Sequence, residues 1–223
     1  MQLVDAIRSR KSVRQFTDKP VSKEVIEEIL EMAKWAPSGG NLQPWTVHVL
    51  VGDDLKTLLE TIQDHMKAGR METPEYNVYP PDLKDPYRTR RRIVGQQLYD
   101  LIGVPREDTA GKLRQLAKNY EFFGAPVGMF FVMDRQMEIG QFADLGMFLQ
   151  NIMLMAREKG LQTCPQEAWA RWPNTVSKHL ELSDDEMMFC GLALGYEDDA
   201  AKINELQSER ASLSEFVTWR GFD

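Results

Sequence analysis

A long apolar stretch between residues 142 and 158 constrains the fold of this 223-residue chain more than any other feature. At helical spacing its apolar residues cover nearly the whole circumference, and such a helix must be buried on more than one side. They are Leu145, Met147, Phe148, Leu149, Ile152, Met153, Leu154, Met155 and Ala156. No window of the chain approaches ~18 uninterrupted apolar residues, the length that spans a bilayer. The sequence therefore predicts a core helix and no membrane span.

The rest of the chain alternates between helical and strand patterns. Helical spacing predicts helices over residues 3–10, from an N-cap at Ser22 to Pro37, from 52 to 67, and over 88–101 and 110–119. Runs of β-branched and apolar residues predict strands over 45–51, 126–132 and 187–195. Because no repeat, low-complexity block or long linker divides the chain, we expect one α+β domain over residues 1–223.

Charge, cysteine and histidine usage exclude several classes of protein. A net charge of −7 argues against nucleic-acid binding, because duplex binding needs an excess of Lys and Arg. Cys164 and Cys190 form no CxxC motif or metal-ligand spacing, and no secretion signal is visible, so we expect reduced thiols in the cytoplasm. His48, His65 and His179 lack pairing at helical spacing, and no metal site is expected.

A basic turn follows the first predicted helix. Arg10-Lys11-Ser12-Val13-Arg14 places three cations and a hydroxyl close together, with Val13 directed inward. Guanidinium groups match phosphate oxygens in pairs, and a serine hydroxyl adds a donor, so the composition is typical of an anion site. Taken alone, a solvated basic turn is the preferred interpretation.

Three further segments change that interpretation when they are considered together with the basic turn. Pro37-Ser38-Gly39-Gly40-Asn41-Leu42-Gln43-Pro44-Trp45 ends the second helix. In order and spacing, these two segments resemble the N-terminal signatures of the FMN-dependent nitroreductase family, in its nitrobenzoate-type branch. Thr163-Cys164-Pro165-Gln166-Glu167 resembles the flavin-facing loop of that family, and the segment from Asn204 to Arg210 resembles its C-terminal phosphate segment. The resemblance covers essentially the whole chain.

The resemblance implies a role for each matching residue. Arg10, Ser12 and Arg210 hold the phosphate of FMN, with additional contacts from Lys11 and Ser208. Arg14 lies near N1 and C2=O of the ring, where a positive charge favours the reduced flavin. The segment near N5 of the ring consists of Pro165, Gln166, Glu167 and Ala168. The residues that reach the flavin from a second subunit are Pro37, Ser38, Gly39, Asn41 and Gln43.

The resemblance also implies the architecture and the assembly. We expect an α+β fold with a mixed sheet flanked by helices, in an intertwined homodimer whose C-terminal segments are exchanged between subunits. Three aromatic residues near the C-terminus, Phe216, Trp219 and Phe222, agree with a segment that docks on a partner.

The implied activity is reduction of nitroaromatic compounds with NADH or NADPH in a ping-pong, two-electron reaction. No side chain is expected to act as acid or base, because the flavin carries the chemistry. Three alternatives stay open: reductive dehalogenation of halogenated phenols in the same fold, quinone reduction, and a non-enzymatic flavin store or scaffold. The first is distinguished by single-electron chemistry, and the last by a flavin that resists reduction.

The stretch from residue 68 to 87 has neither a helical nor a strand period and contains four prolines. Long loops of this kind are commonly lids or binding loops. Because it leads into the basic run Arg88–Arg92, we predict that Tyr79, Tyr87 and Arg88 line the entrance for a small aromatic substrate. A solvated helix start is the alternative interpretation of the arginines. Cys164 adjoins the flavin-facing loop and is expected to pack rather than react.

Overall fold

The computed structural model describes residues 1–222 and contains eight helices and four strands within them. The helices are α1 (Leu3–Ser9), α2 (Lys23–Ala33), α3 (Gly52–Lys67), α4 (Tyr87–Leu101), α5 (Thr109–Ala117), α6 (Ile139–Glu158), α7 (Pro173–His179) and α8 (Leu213–Phe216). The strands are β1 (Thr46–Val51), β2 (Val127–Asp134), β3 (Gln162–Gln166) and β4 (Glu186–Gly195). Short 3-10 turns occupy Gly39–Asn41, Lys118–Gly124, Glu167–Arg171 and Lys202–Glu205.

The four strands form one sheet in the order β1-β2-β4-β3, and each neighbouring pair is antiparallel. Seven of the eight residues of β2 are buried, which agrees with the continuous apolar pattern that predicted this strand. Among the described residues, the parallel component that we expected of a mixed sheet is limited to an isolated bridge between Ser12 and Thr163. The α+β class is confirmed.

Each face of the sheet packs against its own helices. Along β2, Met129, Phe131 and Met133 join a core that includes α2 and α6. The alternate residues Phe130 and Val132 join a second core that includes α3 and Trp169. Because side chains alternate across a strand, one run of apolar residues supplies both cores.

The apolar helix is α6, and it begins three residues before the predicted stretch. Its buried residues include Leu145, Phe148 and Ile152, but Met147 stays exposed. Burial on more than one side is therefore incomplete within a single chain. No helix in residues 1–222 is long and apolar enough to cross a membrane.

One predicted element is wrong in type. The flavin-facing segment, which we interpreted as a loop, contains the edge strand β3, which pairs with β4 from Gln162↔Gly195 to Gln166↔Gly191. The sequence does not predict this strand because it contains Pro165, and proline is depleted in strands except at sheet edges. The remaining predicted helices and strands are present, with ends that shift by a few residues.

Candidate functional site

The basic turn lies directly beside β3. Val13 is fully buried, and its amide donates a 3.1 Å hydrogen bond to the carbonyl of Thr163. Ser12 forms the bridge to the same residue. The N-terminal motif and the flavin-facing segment, which are far apart in sequence, are therefore adjacent in the fold.

Arg10 and Arg14 of the basic turn lie near Cys164, and Arg210 lies near Arg10; we call Arg10, Arg14 and Arg210 the guanidinium cluster. Burial and the neighbouring positive charge of Arg210 lower the pKa of Arg10. Burial raises the pKa of the Cys164 thiol to about 11, while the nearby Arg14, Ser12 and Arg10 act in the opposite direction. The basic turn therefore lies around the buried thiol of Cys164, and Arg210 lies near Arg10 of that turn.

The positive charge of the guanidinium cluster is not neutralised by nearby carboxylates among the described residues. Within residues 1–222, none of its three members makes a salt bridge to a carboxylate. Arg14 donates instead to the carbonyl of Ser12 at 3.1 Å, and Arg210 donates to the carbonyl and hydroxyl of Ser208 at 2.8 and 2.7 Å. Since neighbouring cations repel one another, such a cluster favours a bound anion. Ser208 orients Arg210 in this arrangement.

Lys11 differs from the other cations of the turn. Its ammonium group forms a 2.6 Å salt bridge with Glu197 and donates to the backbone carbonyl of Asn204 at 2.6 Å. The Lys11 ammonium is therefore bound to other groups of the protein. Only the backbone of Lys11 is free to make the phosphate contact that we expected.

The flavin-facing segment presents alternate residues at the end of β3. Pro165 and Glu167 are exposed, whereas Gln166 between them is buried. Gln166 Nε2 donates to the carbonyl of Asn119 at 2.7 Å, and its buried Oε1 has no partner in the part of the chain that the structure describes. Desolvation raises the pKa of Glu167, so its carboxylate borders the protein on one side. Ala168 is half-buried, and its carbonyl accepts a hydrogen bond from Tyr120.

The segment from Pro37 to Gln43 forms a separate, exposed loop. Gln43 donates its amide to Ser38 Oγ at 3.0 Å and its side chain to the carbonyl of Asn41. Asn41 and Gln43 both adopt positive φ, at 58° and 50°. Among the described residues, no hydrogen bond joins this loop to the basic turn, to β3 or to Arg210. One chain therefore brings together three of the four predicted motifs.

Residues 68–86 cross the protein as an anchored strap. Glu72 accepts hydrogen bonds from the amides of Asn174 and Thr175 at the start of α7, and Glu75 pairs with both terminal nitrogens of Arg135. Tyr76 donates to the carbonyl of Phe189 and stacks on its ring. Burial, and next the charge of Glu167, raise the pKa of Tyr76, which places the strap beside the flavin-facing segment.

The predicted entrance residues lie beyond these anchors and are exposed in the chain. Arg88 is paired with Asp85 at 2.8 Å, and Tyr79 lies under the guanidinium of Arg91 at 4.0 Å from its ring centre. Tyr87 starts α4 and is 62% exposed. No described hydrogen bond joins these residues to the guanidinium cluster, so their role as an entrance stays a prediction.

Sequence reasoning missed three residues that shape the site. Asp144 is buried in α6 and accepts the amide of Gly39 at 3.1 Å; a carboxylate inside the most apolar helix was an available signal. Asn204 holds the basic turn, and Tyr76 holds the strap. Asn204 was recognised only as the first residue of the C-terminal phosphate segment, and nothing in the local sequence marks the contacts of Asn204 or Tyr76, because their partners are distant in the chain. Within residues 1–222, no cluster of three or more His, Cys, Asp or Glu residues could hold a metal ion.

Comparison with known proteins assigns the family. Residues 7–196 match the model of the nitroreductase family. The chain is 39% identical over 216 residues to the chloronitrobenzene nitroreductase of Comamonas testosteroni, covering 96% of this chain and 95% of the relative. It is 38% identical over 216 residues to the nitrobenzene nitroreductase of Ectopseudomonas oleovorans, with the same coverage.

Among solved structures, the FMN- and NADPH-dependent nitroreductase NfnB from Sphigopyxis sp. strain HMH superposes with a TM-score of 0.96 at 42% identity, and all of both chains is covered. Together with the family match over most of the chain, this likeness shows both fold and ancestry. The chain belongs to the nitroreductase family.

Proposed function

We propose that this protein is an FMN-dependent oxidoreductase that uses NADH or NADPH to reduce nitroaromatic compounds. One observation carries the proposal: Arg210 lies near enough to Arg10 for its charge to lower the pKa of Arg10, and neither guanidinium makes a salt bridge to a carboxylate among the described residues. A flavin phosphate bears nearly two negative charges, and guanidinium groups bind phosphate with paired, charge-assisted hydrogen bonds. The phosphate therefore fits the residues that are present.

The flavin ring fits the adjacent end of β3. Pro165 and Glu167 are exposed there, and Gln166 holds an unsatisfied carbonyl oxygen in the described part of the chain. Backbone and side-chain groups in this position can bind the polar edge of an isoalloxazine. Arg14 lies near Cys164 of β3, where its positive charge would favour the anionic reduced state of the ring.

FMN held by these residues would supply the hydride and two-electron transfer between the nicotinamide and the oxidant. The described residues bind and orient the cofactor and adjust its charge, and none of them is required to act as a general acid or base.

The substrate class follows from the relatives. By their names, the two relatives above act on chloronitrobenzene and nitrobenzene, and the structural neighbour depends on FMN and NADPH. We propose that the oxidant of this protein is also a small nitroaromatic compound. Tyr79, Tyr87 and Arg88 are proposed to line its entrance.

We also propose a homodimer in which the loop from Pro37 to Gln43 completes the flavin site of the other subunit. Within one chain this loop lies apart from the other motifs. Apolar residues of α1 are exposed, α4 has no buried residue, and Phe216, Trp219 and Phe222 are each at least 65% exposed. Exposed apolar surface of this extent normally marks an interface. Exchange of the C-terminal segment belongs to the same proposal.

The experiment is to purify the protein, identify the released flavin, and follow its reduction by NADH or NADPH without oxygen. Turnover is then compared over nitrobenzenes, nitrobenzoates, quinones and halogenated phenols. The proposal expects FMN, rapid bleaching, and the highest kcat/KM with a nitroaromatic. A colourless protein that binds no flavin after reconstitution contradicts the proposal. If a quinone or a halophenol gives the highest kcat/KM, that compound class and not a nitroaromatic is the oxidant.

A further inference from the structure

A single buried side chain joins the basic turn to the segment that precedes Arg210. Asn204 is only 3% exposed. Its Oδ1 accepts the amide of Arg14 at 2.8 Å, and its Nδ2 donates to the carbonyls of Gln15 and Asp198 at 2.8 and 3.1 Å. One carboxamide therefore connects the basic turn with the segment that leads to Arg210.

The backbone of Asn204 strengthens the same connection. Its carbonyl accepts the ammonium group of Lys11 at 2.6 Å, and its amide donates to the carbonyl of Ala201 at 2.9 Å. Lys11 is itself held by Glu197. Three hydrogen bonds of Asn204 therefore join it to the turn, at Lys11, Arg14 and Gln15, and two more fix it within its own segment.

Beyond Asn204 the chain has no comparable anchor. Residues 205–210 contain no buried side chain, and residues 206–210 form neither helix nor strand. Asn204 is thus the last buried point from which the chain runs to Arg210.

We infer that Asn204 is a positioning residue that sets the spacing of the guanidinium cluster and thereby makes the site selective for a phosphorylated flavin. The inference rests on the proposed function, because it concerns the phosphate of the same cofactor. Asparagine suits the task since one planar group offers an acceptor and two donors. An aspartate keeps the acceptor but places an oxygen opposite two carbonyls, and an aliphatic residue offers neither.

The test compares the affinities of the flavin-free protein for FMN and for riboflavin, which lacks the phosphate, by quenching of flavin fluorescence. In Asn204→Asp, the Kd for FMN should rise about tenfold or more, and the Kd for riboflavin should rise by a clearly smaller factor, because riboflavin lacks the phosphate that Arg10 and Arg210 bind. Asn204→Ala is the second variant, because it removes the bonds without adding a buried charge. Ile62→Val is the control, since it trims a fully buried residue of α3 away from the site.

A general loss of stability lowers both affinities together, so the ratio of the two Kd values separates positioning from folding. If both Asn204 variants keep the wild-type preference for FMN, the inference is wrong while the proposed function stands. If the wild-type protein binds neither flavin, the proposed function fails first. Should the variants not fold, amide exchange in the wild-type protein decides: an Arg14 amide that exchanges as fast as an exposed one overturns the inference.

Discussion

The amide of Gly39 donates a hydrogen bond of 3.1 Å to the carboxylate of Asp144, which is buried in α6. This contact ties the exposed loop from Pro37 to Gln43 to the most apolar helix of the protein. The loop is the segment that we propose to serve the neighbouring subunit. Its conformation is therefore set from inside its own chain, before any partner binds.

Removing the carboxylate should loosen that loop. In Asp144→Ala, we expect the Gly39 amide to exchange with solvent about tenfold faster, since a hydrogen bond to a charged group is worth about 1.5–3 kcal/mol and water replaces it only in part. Asp144→Asn keeps an acceptor and should show a smaller change. Equal exchange rates in the wild type and in Asp144→Ala would refute the role of Asp144.

Both thiols should be inert in the folded protein. Burial raises the pKa of Cys164 to about 11, and burial together with the charge of Glu167 raises the pKa of Cys190. Because the thiolate is the reactive form, a maleimide should label neither residue at neutral pH until the protein is unfolded in urea. Mass spectrometry of the labelled protein checks this. Rapid labelling of the folded protein would show that Cys164 is accessible beneath the guanidinium cluster.

Ionisation of Glu167 should oppose folding of the flavin-free protein. Desolvation raises its pKa in the folded state, so the folded protein binds more protons there than the unfolded chain. The penalty is absent below the unfolded pKa and complete above the folded pKa, and stability falls as pH rises between them. Glu167→Gln should therefore raise Tm at about pH 8 but not at about pH 4.

A matched variant controls for the change in net charge. Glu107→Gln removes one carboxylate from an exposed loop. The change in Tm between the low and the high pH should be the same in this variant as in the wild type. If Glu167→Gln behaves like this control, the carboxylate of Glu167 is not desolvated in solution.

The entrance proposed around Arg88 is tested by substrate charge. Arg88→Ala should raise KM for a nitrobenzoate about two- to fivefold and leave KM for nitrobenzene unchanged, because an exposed charge contributes only up to about 1 kcal/mol. Its pairing with Asp85 limits the effect further. Arg106→Ala removes another exposed arginine and is the control. If Arg88→Ala leaves the KM values for both nitrobenzoate and nitrobenzene at their wild-type levels, Arg88 does not line the entrance.

The sequence was sufficient for the elements whose patterns are local. The apolar run that became β2, the N-cap at Ser22 and the lack of regular structure in 68–86 all follow from spacing and composition. The strand β3 was missed, since Pro165 breaks its pattern and its pairing with β4 is a long-range property.

The candidate site divides in the same way. The four motifs were recognised from residue types and order, and three of them meet in the fold. The contacts that hold them, from Asn204 to Arg14 and from Asp144 to Gly39, join residues more than a hundred positions apart. Contacts between residues so far apart do not affect the local spacing of apolar residues, and they become visible only in the folded structure.

The affinity for FMN in a double-mutant cycle of Arg10 and Arg210 tests the central claim most directly. If both guanidinium groups grip one phosphate, Arg10→Ala and Arg210→Ala should each raise the Kd for FMN about tenfold or more. The Kd for FMN of the double variant should then rise by less than the product of the two single-variant fold-increases, because the two residues bind the same phosphate. An unchanged Kd in either single variant would contradict the account.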